Sequence, residues 1–393
     1  MGSLPRLITL SALGWLLAWP ATAQVQWSGS LDIAHKVDVA QEEGEENATL
    51  NTTPKGQSPF SLVRARLFAD AEVTDGVTVL TTILWDEGLG HFDMEGAYVV
   101  FSQVSGREAL NLQVGKMATP YGRFASRSFA TVNPLIGIPL IYQYFSSVRG
   151  NTVPANAAQQ LAWRNSATAA YQTRGLPTIY DACWNTGVQL FGSTPHVAFA
   201  LALTKGAVSN PAASDNDGAQ LVGRIGVQPS MGLQLGLSAA WGPYLESGAA
   251  ESPAFPEGKS VEDYKQLLMG FDAAYSVGRW EFTTELMRNR WEVPNLVPGD
   301  DALTNMGGYV EGIVGLRPGL NGSLRAGRIN YGEIDDGTGA DIAWDYDVTR
   351  VETGLEYYLT RATHLKGVVQ LNWRHDAPDD ADHMIGAQLA TVF

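Results

Sequence analysis

Along most of the chain, apolar and polar residues alternate with period two, the signature of strands with two unlike faces. In LVRARLFADAE (62–72), Val63, Ala65, Leu67, Ala69 and Ala71 fall on one side, and Arg64, Arg66, Asp70 and Glu72 on the other. In KGVVQLNWR (366–374), Gly367, Val369, Leu371 and Trp373 oppose Lys366, Gln370, Asn372 and Arg374. The closing HMIGAQLATVF sets Ile385, Ala387, Leu389 and Phe393 against Gly386 and Gln388. About sixteen such runs follow one another, beginning near Trp27 and ending at Phe393. A soluble sandwich would also alternate, so the connections must decide between the two architectures.

Those connections are segregated by length. Short turns fall at 74–76, 105–107, 192–195, 228–230, 276–278, 317–319 and 360–362. Between them lie longer stretches rich in Gly, Pro and acids, at 38–55, 206–218, 242–259, 292–304, 331–345 and 375–382. Short on one side, long on the other, with an even strand count, is the pattern of a transmembrane antiparallel β-barrel of about 16 strands. Closure matters because lipid offers no partner to an unpaired backbone N–H or C=O. Sixteen strands are wide enough to leave an aqueous channel. Both chain ends then lie on the short-turn, periplasmic side. Beyond residue 23 no apolar run reaches 18 residues, which excludes a helical membrane protein. Residues 1–23 read as a removable export signal: Arg6, the apolar stretch 7–19, then Ala21-Thr22-Ala23. The mature chain is expected to begin at Gln24.

The terminal Phe393, preceded by apolar residues at alternate positions, resembles the insertion signal of Gram-negative outer-membrane porins. The fifth strand runs into NLQVGKMATPYGRF (111–124). This is similar to the G-x-x-x-x-P-[FY]-G stretch of phosphate-selective porins and their sixteen-stranded diffusion-porin relatives. The resemblance implies that the connection after the fifth strand, 118–180 here, folds into the barrel and sets the constriction. It also implies a homotrimer in the bacterial outer membrane passing small hydrophilic or anionic solutes. Phosphate-selective members line that constriction with lysines, and 118–180 contains none, so phosphate specificity does not carry over.

Charge gives this insert its interest. The formal net charge is −15, and removing Arg6 leaves 25 basic residues against 41 acidic ones, or −16. Such acidity argues against nucleic acid. Yet 118–180 holds five arginines and no Asp, Glu or Lys. Arg123, Arg127, Arg149, Arg164 and Arg174 are therefore candidates for an anion-attracting constriction. Arg64, Arg66, Arg224, Arg350, Lys366 and Arg374 join them from the inward parity of the strands. Guanidinium groups stay charged and fork onto anionic oxygens, and a ring of them is a recurring device of anion-selective pores. The competing reading pairs these arginines with wall acids, among them Asp70, Glu72, Asp86, Asp272, Glu285, Glu352 and Glu356, giving a transverse field and weak selectivity.

The second half of the insert needs a different account. Pro134, Leu135, Ile136, Ile138, Leu140, Ile141, Tyr142, Tyr144 and Phe145 form an apolar run that an exposed loop would not carry. It is expected to pin the loop, either on the inner barrel wall or against a neighbouring subunit. Residues 155–167 suggest a short helix. The acids of the long loops, such as 42–46, 335–341 and 379–382, are expected to be solvated and to face lipopolysaccharide. The sequons at Asn47 and Asn51 carry no meaning in a bacterial outer membrane. No cofactor or metal is implied: the Asp335 cluster lacks calcium-loop spacing, and no CxxC or haem motif occurs. Cys183 has nothing beside it to lower its pKa and reads as a small core residue. The six histidines are scattered, and no G-x-S-x-G elbow appears, so no enzyme is indicated. The alternative to a pore is a non-conducting barrel that scaffolds a partner complex or displays surface loops.

Overall fold

A computed structural model describes residues 24–40, 48–51, 58–106, 110–164, 175–181, 183–296, 302–377 and 381–393. The expected export signal, Arg174, Asn47 and the acids at 42–46 and 379–380 lie outside them.

The strands in chain order are β1 (Val25–Ala40), β2 (Val63–Thr74), β3 (Val77–Asp86), β4 (Phe92–Phe101), β5 (Asn111–Ala118), β6 (Trp184–Ser193), β7 (Val197–Lys205), β8 (Gln220–Ser230) and β9 (Leu233–Pro243). Then come β10 (Lys265–Val277), β11 (Trp280–Glu292), β12 (Ala302–Arg317), β13 (Leu320–Tyr331), β14 (Glu333–Asp335), β15 (Asp341–Ala343), β16 (Val348–Tyr358), β17 (Thr363–Arg374) and β18 (Ala381–Val392). All but β14 and β15 form one closed antiparallel barrel of sixteen strands in which each pairs with its sequence neighbours. The two exceptions make a small hairpin inside the connection after β13, where the sequence suggested plain loop.

Closure is achieved by β1 on β18, with Ser30 opposite Val392. The last residue is locked in: Gly29 N–H donates to Phe393 O at 2.8 Å, and Phe393 N–H donates to Gly29 O at 3.0 Å. The weakest seam is β4–β5, paired only from Ala97↔Lys116 to Phe101↔Leu112.

Outward positions carry exposed Leu67, Leu201, Leu237, Phe271, Val310, Leu324, Leu355, Val369 and Ile385 all round the wall. Water would not tolerate so continuous an apolar surface, and lipid requires it. The barrel is therefore built to span a membrane, although no helix among the described residues is long and apolar enough to cross one. The inner face departs from simple polarity. Val222, Ala240, Leu268, Met287, Ile329, Val348, Val368 and Met384 occupy inward positions and are buried. They are apolar because they face protein rather than water.

Candidate functional site

What covers these wall residues is the connection between β5 and β6. Its entry is set by Pro120-Tyr121-Gly122. Tyr121 is buried, with its hydroxyl against Gly270 of β10, where an added Cβ would come within 2.6 Å. Gly122 has φ +61°, and a Cβ there would lie 2.2 Å from the Tyr142 hydroxyl and 2.5 Å from Glu285 Oε2. Only glycine meets both the backbone and the space requirement. The turn swings the chain off β5 and across to β9–β11. There Gly122 N–H donates to Ser238 Oγ at 3.0 Å and Arg123 N–H to Glu285 Oε2 at 3.1 Å.

From that point the insert has two unlike stretches. Over 123–132 its residues are half-exposed or exposed, apart from Phe124. From Asn133 to Val148 all sixteen are buried. Leu135 and Ile136 pack with Phe60, Val368 and Met384. Ile138, Leu140, Ile141, Tyr142 and Tyr144 belong to a larger cluster with wall residues Val222, Leu268, Met287, Tyr309 and Ile329. Pro134 is buried, and Phe145 is buried where it bridges Pro177 on the returning strand of the insert. The apolar run is thus buried within a single chain, on inward-facing side chains, and no neighbouring subunit is needed to cover it. Leu50, at the helical turn α1 (Ala48–Asn51), joins the same cluster. The first long connection therefore dips inward as well at this turn. Asn51 of the second sequon is buried and donates to Gln370 Oε1 at 2.8 Å, so it is no surface acceptor. The expected short helix is α2 (Ala157–Trp163), capped by Asn156 accepting from Gln159 N–H at 2.9 Å.

Polar bonds complete the docking. Arg325 of β13, which the sequence reading passed over, is its centre. It donates to Gly137 O and Asn133 Oδ1, both at 2.7 Å, and to Glu311 of β12 at 2.8 Å. Glu352 of β16 lies 3.7 Å away and accepts from Gly137 N–H at 2.7 Å. Gly137 leaves no room for a side chain, since a Cβ would sit 2.4 Å from Glu352 Oε2. Next along the wall, Arg350 donates to Ile138 O at 2.8 Å and Leu50 O at 2.6 Å. Lys366 of β17 donates to the carbonyls of Ala130, Asn133 and Leu135. Arg350 and Lys366 have the inward parity expected of them, yet both are buried under the insert and hold its backbone. The pore-lining role proposed for them does not fit that position. Cationic side chains suit this task because a loop without regular structure offers unpaired carbonyls that buried donors must satisfy.

The remaining arginines divide by partner. Arg64 pairs with Asp86 at 2.9 Å, Arg66 with Glu95 at 2.8 Å, Arg224 with Asp272 at 2.6 Å and Arg127 with Glu311 at 2.6 Å. Burial disfavours charge on Arg127, but Glu311 more than offsets this and holds the guanidinium above its usual range. Arg123 has a neutral partner, Gln234 Oε1 at 2.6 Å. Arg149 stacks on Trp163 and Arg164 on Tyr346, and Arg164 also donates to Ala343 O at 2.9 Å. Arg374 is buried against Tyr346. These last three belong to the packing of the long loops.

In three of the ion pairs the cation stands nearer water than the acid. The side-chain exposures are 11 % for Arg127 against 0 % for Glu311, and 23 % for Arg224 against 2 % for Asp272. Arg64 and Asp86 follow the same order, and Arg66 and Glu95 reverse it. On the side of the barrel that the insert leaves bare, inward residues such as Phe68, Asp70, Leu80, Tyr98, Gln113 and Phe191 are partly exposed. Toward the long-loop end a cavity of about 350 Å³ opens between the insert and β4–β7, bordered by Asp93, Lys116, Phe145, Pro177 and Lys205.

No protein-family model and no curated protein matches the sequence. Solved structures do match in shape. OmpT, an outer membrane protein of Vibrio cholerae folded in vitro, aligns with a TM-score of 0.55 over 96 % of this chain and 99 % of its own, at 12 % identity. The fold is that of a porin. The outer membrane channel DcaP of Acinetobacter baumannii aligns with a TM-score of 0.54 over 95 % of this chain and 99 % of its own, at 13 % identity. OmpF of Salmonella typhi, in complex with daunomycin, gives 0.55 over the same shares at 10 % identity. At such identities the likeness concerns the porin fold and leaves the solute to the chemistry of the lumen.

Proposed function

We propose that this chain is an outer-membrane porin, a water-filled channel for passive diffusion of small hydrophilic solutes, with the 118–180 insert as its constriction. The observation that carries the reading is the two-sided insert. One stretch is buried against the wall from β9 round to β18, and the other, 123–132, fronts the partly exposed wall of β2–β7. A passage bounded in that way is off-centre and narrow.

We further infer a mild anion preference. The exposed stretch carries Arg123 and Arg127 and no carboxylate, and the acids that neutralise the wall arginines sit behind them. A buried pair is neutral in sum but oriented in space. A solute passing close by meets the cationic end first, in a passage where water screens poorly. The proposed assembly is a homotrimer with its acidic long loops toward lipopolysaccharide.

Planar-bilayer recording of purified protein tests both levels. Discrete ohmic steps support the channel, and a silent bilayer would instead favour the scaffold reading. Under a salt gradient the reversal potential should show anion preference, reduced in the Arg123→Ala/Arg127→Ala double variant. Cation preference in the unaltered protein would overturn the arginine argument while leaving the channel intact.

A further inference from the structure

An apolar side chain on the inner wall is accounted for wherever the insert covers it. On the bare side of the barrel that account fails for Phe191 of β6. Its position is inward, it is partly exposed, and it belongs to neither buried cluster, so its ring borders the water of the lumen. Ala200 of β7 lies opposite Phe191, and Arg224 of β8 lies opposite Ala200. Ring and guanidinium therefore start from one row of the wall, two strands or about 10 Å apart, with only a methyl group between them.

Arg224 is held with one edge open. Its Nε and Nη2 donate to the two carboxylate oxygens of the buried Asp272, at 3.2 and 2.6 Å. Gly226 and Gly236 lie opposite each other and supply the bare backbone along which the guanidinium rests. A Cβ would come within 3.1 Å of Nη1 at Gly226 and within 2.5 Å of Nη2 at Gly236. Nη1 itself makes no hydrogen bond among the described residues, which leaves it to the passage.

Arg123 reaches the same place from the insert. Its Nη1 donates to Gln234 Oε1 at 2.6 Å. Gln234 is the neighbouring inward residue of β9 beside Gly236, about 7 Å along the strand. Arg224 also lies opposite Ser238, the acceptor of Gly122 N–H, so the patch adjoins the turn that starts the insert. Two guanidiniums that fork onto carboxylate oxygens, with a flat apolar surface beside them, select for an anion carrying a flat apolar body. We propose that this patch is a binding subsite for aryl carboxylates, with the carboxylate on Arg123 and Arg224 and the ring on Phe191 over Ala200. Ring on ring gives such a solute a contact that a small hydrophilic anion lacks. The inference rests on the anion-preferring channel reading above and names a solute class for it.

Planar-bilayer recording of the full barrel in chloride tests it, with benzoate, acetate and uncharged benzamide as added probes. Benzoate should halve the chloride current at a concentration about fivefold below that of acetate, the scale of one aromatic contact. It should also act below benzamide. Phe191→Leu should raise the half-blocking concentration of benzoate to that of acetate. Arg224→Gln/Asp272→Asn removes the cation without stranding a buried acid, and should narrow the gap between benzoate and benzamide. Should that pair of changes prevent insertion, Arg123→Gln supplies the same comparison. An anion-preferring channel in which benzoate acts as acetate does would overturn the proposal and leave the anion preference standing. So would a Phe191→Leu channel with the parental response to benzoate. A silent bilayer or a cation preference would instead remove the reading beneath it.

Discussion

Replacing Arg325 by Met removes the centre of the insert's docking while leaving a side chain of similar reach. Glu311 keeps Arg127, and Glu352 keeps Gly137 N–H. What is lost is one of two donors to Gly137 O, the other being Asn133 Nδ2 at 2.9 Å, together with the shorter donor to Asn133 Oδ1 and the charge standing between two buried carboxylates. Removing one partner of a buried ion pair costs about 3–5 kcal/mol, because the other charge is left uncompensated. The strand pairing of β12, β13 and β16 does not depend on this side chain. The loss should therefore fall on the insert as local opening. Taking roughly 3 kcal/mol, the open fraction around 133–137 rises by about two powers of ten. Native-state proteolysis reads that fraction directly when reclosing is faster than cleavage. Cleavage near 133–137 should accelerate on that scale, and single-channel records should become noisier. Adding Glu311→Gln and Glu352→Gln should recover much of the loss, since no buried charge then lacks a partner. An Arg325→Met protein with parental cleavage and quiet current would refute the assignment of Arg325 as the docking centre.

Gly122→Ala imposes an unfavourable backbone region and a contact of 2.2 Å on the Tyr142 hydroxyl. A loss of about 3 kcal/mol or more in insert protection is expected from strain and clash together, and parental proteolysis kinetics would contradict it. The Asp345 carboxyl accepts from Ser147 N–H at 2.6 Å and from Tyr346 N–H at 2.7 Å. Burial raises its pKa from near 3.8 to about 6, against the opposing pull of those bonds and of Arg374. A pKa raised by folding means stability that is complete below about 3.8 and lost as pH rises through about 6, up to about 3 kcal/mol in all. Protection around Ser147 should accordingly increase as pH falls from 7 to 5, and Asp345→Asn should abolish that dependence; a slope that survives the substitution assigns it elsewhere.

Period-two alternation and the segregation of loop lengths sufficed to read sixteen strands, their faces and the common side of both termini, because a barrel in lipid has one wet and one greasy direction per strand. That a run such as Leu135 to Phe145 would be buried was legible too, since so apolar a stretch must be covered somewhere. The roles of individual cations were not. Arg350 and Lys366 have the same parity as Arg64 and Arg224, yet lie under the insert rather than beside open lumen. Parity tells which way a side chain points and nothing about what fills the space it points into. Arg325 was missed for a related reason. Its importance comes from carbonyls and carboxylates on β12, β16 and the insert, 14 to 192 residues away in sequence. The one local signal was an arginine at inward parity in GSLRAGR, a segment that reads as an ordinary strand. Gly122 was visible in its motif, but its cause, the Tyr142 hydroxyl and Glu285, appears only when the insert is folded back.

Docking and selectivity draw on the same charges at different depths, and salt should separate them. The bonds that hold the insert are buried: Glu311, Glu352, Arg325 and Lys366 have almost no contact with solvent. Ions cannot enter between them, so raising ionic strength weakens them little. The field of Arg123, Arg127 and Arg224 must instead act across water to reach a passing solute. Its range falls from about 10 Å at 0.1 M salt to about 3 Å at 1 M. Between those limits the reversal potential should collapse toward that of an unselective pore, while the cleavage rate at 133–137 stays nearly constant. If both changed together, the insert would be held by screened surface charge, and the division of the arginines into buried anchors and forward-facing filters would be wrong. If neither changed, whatever selectivity the channel has would arise from its width rather than from the guanidinium groups at its edge.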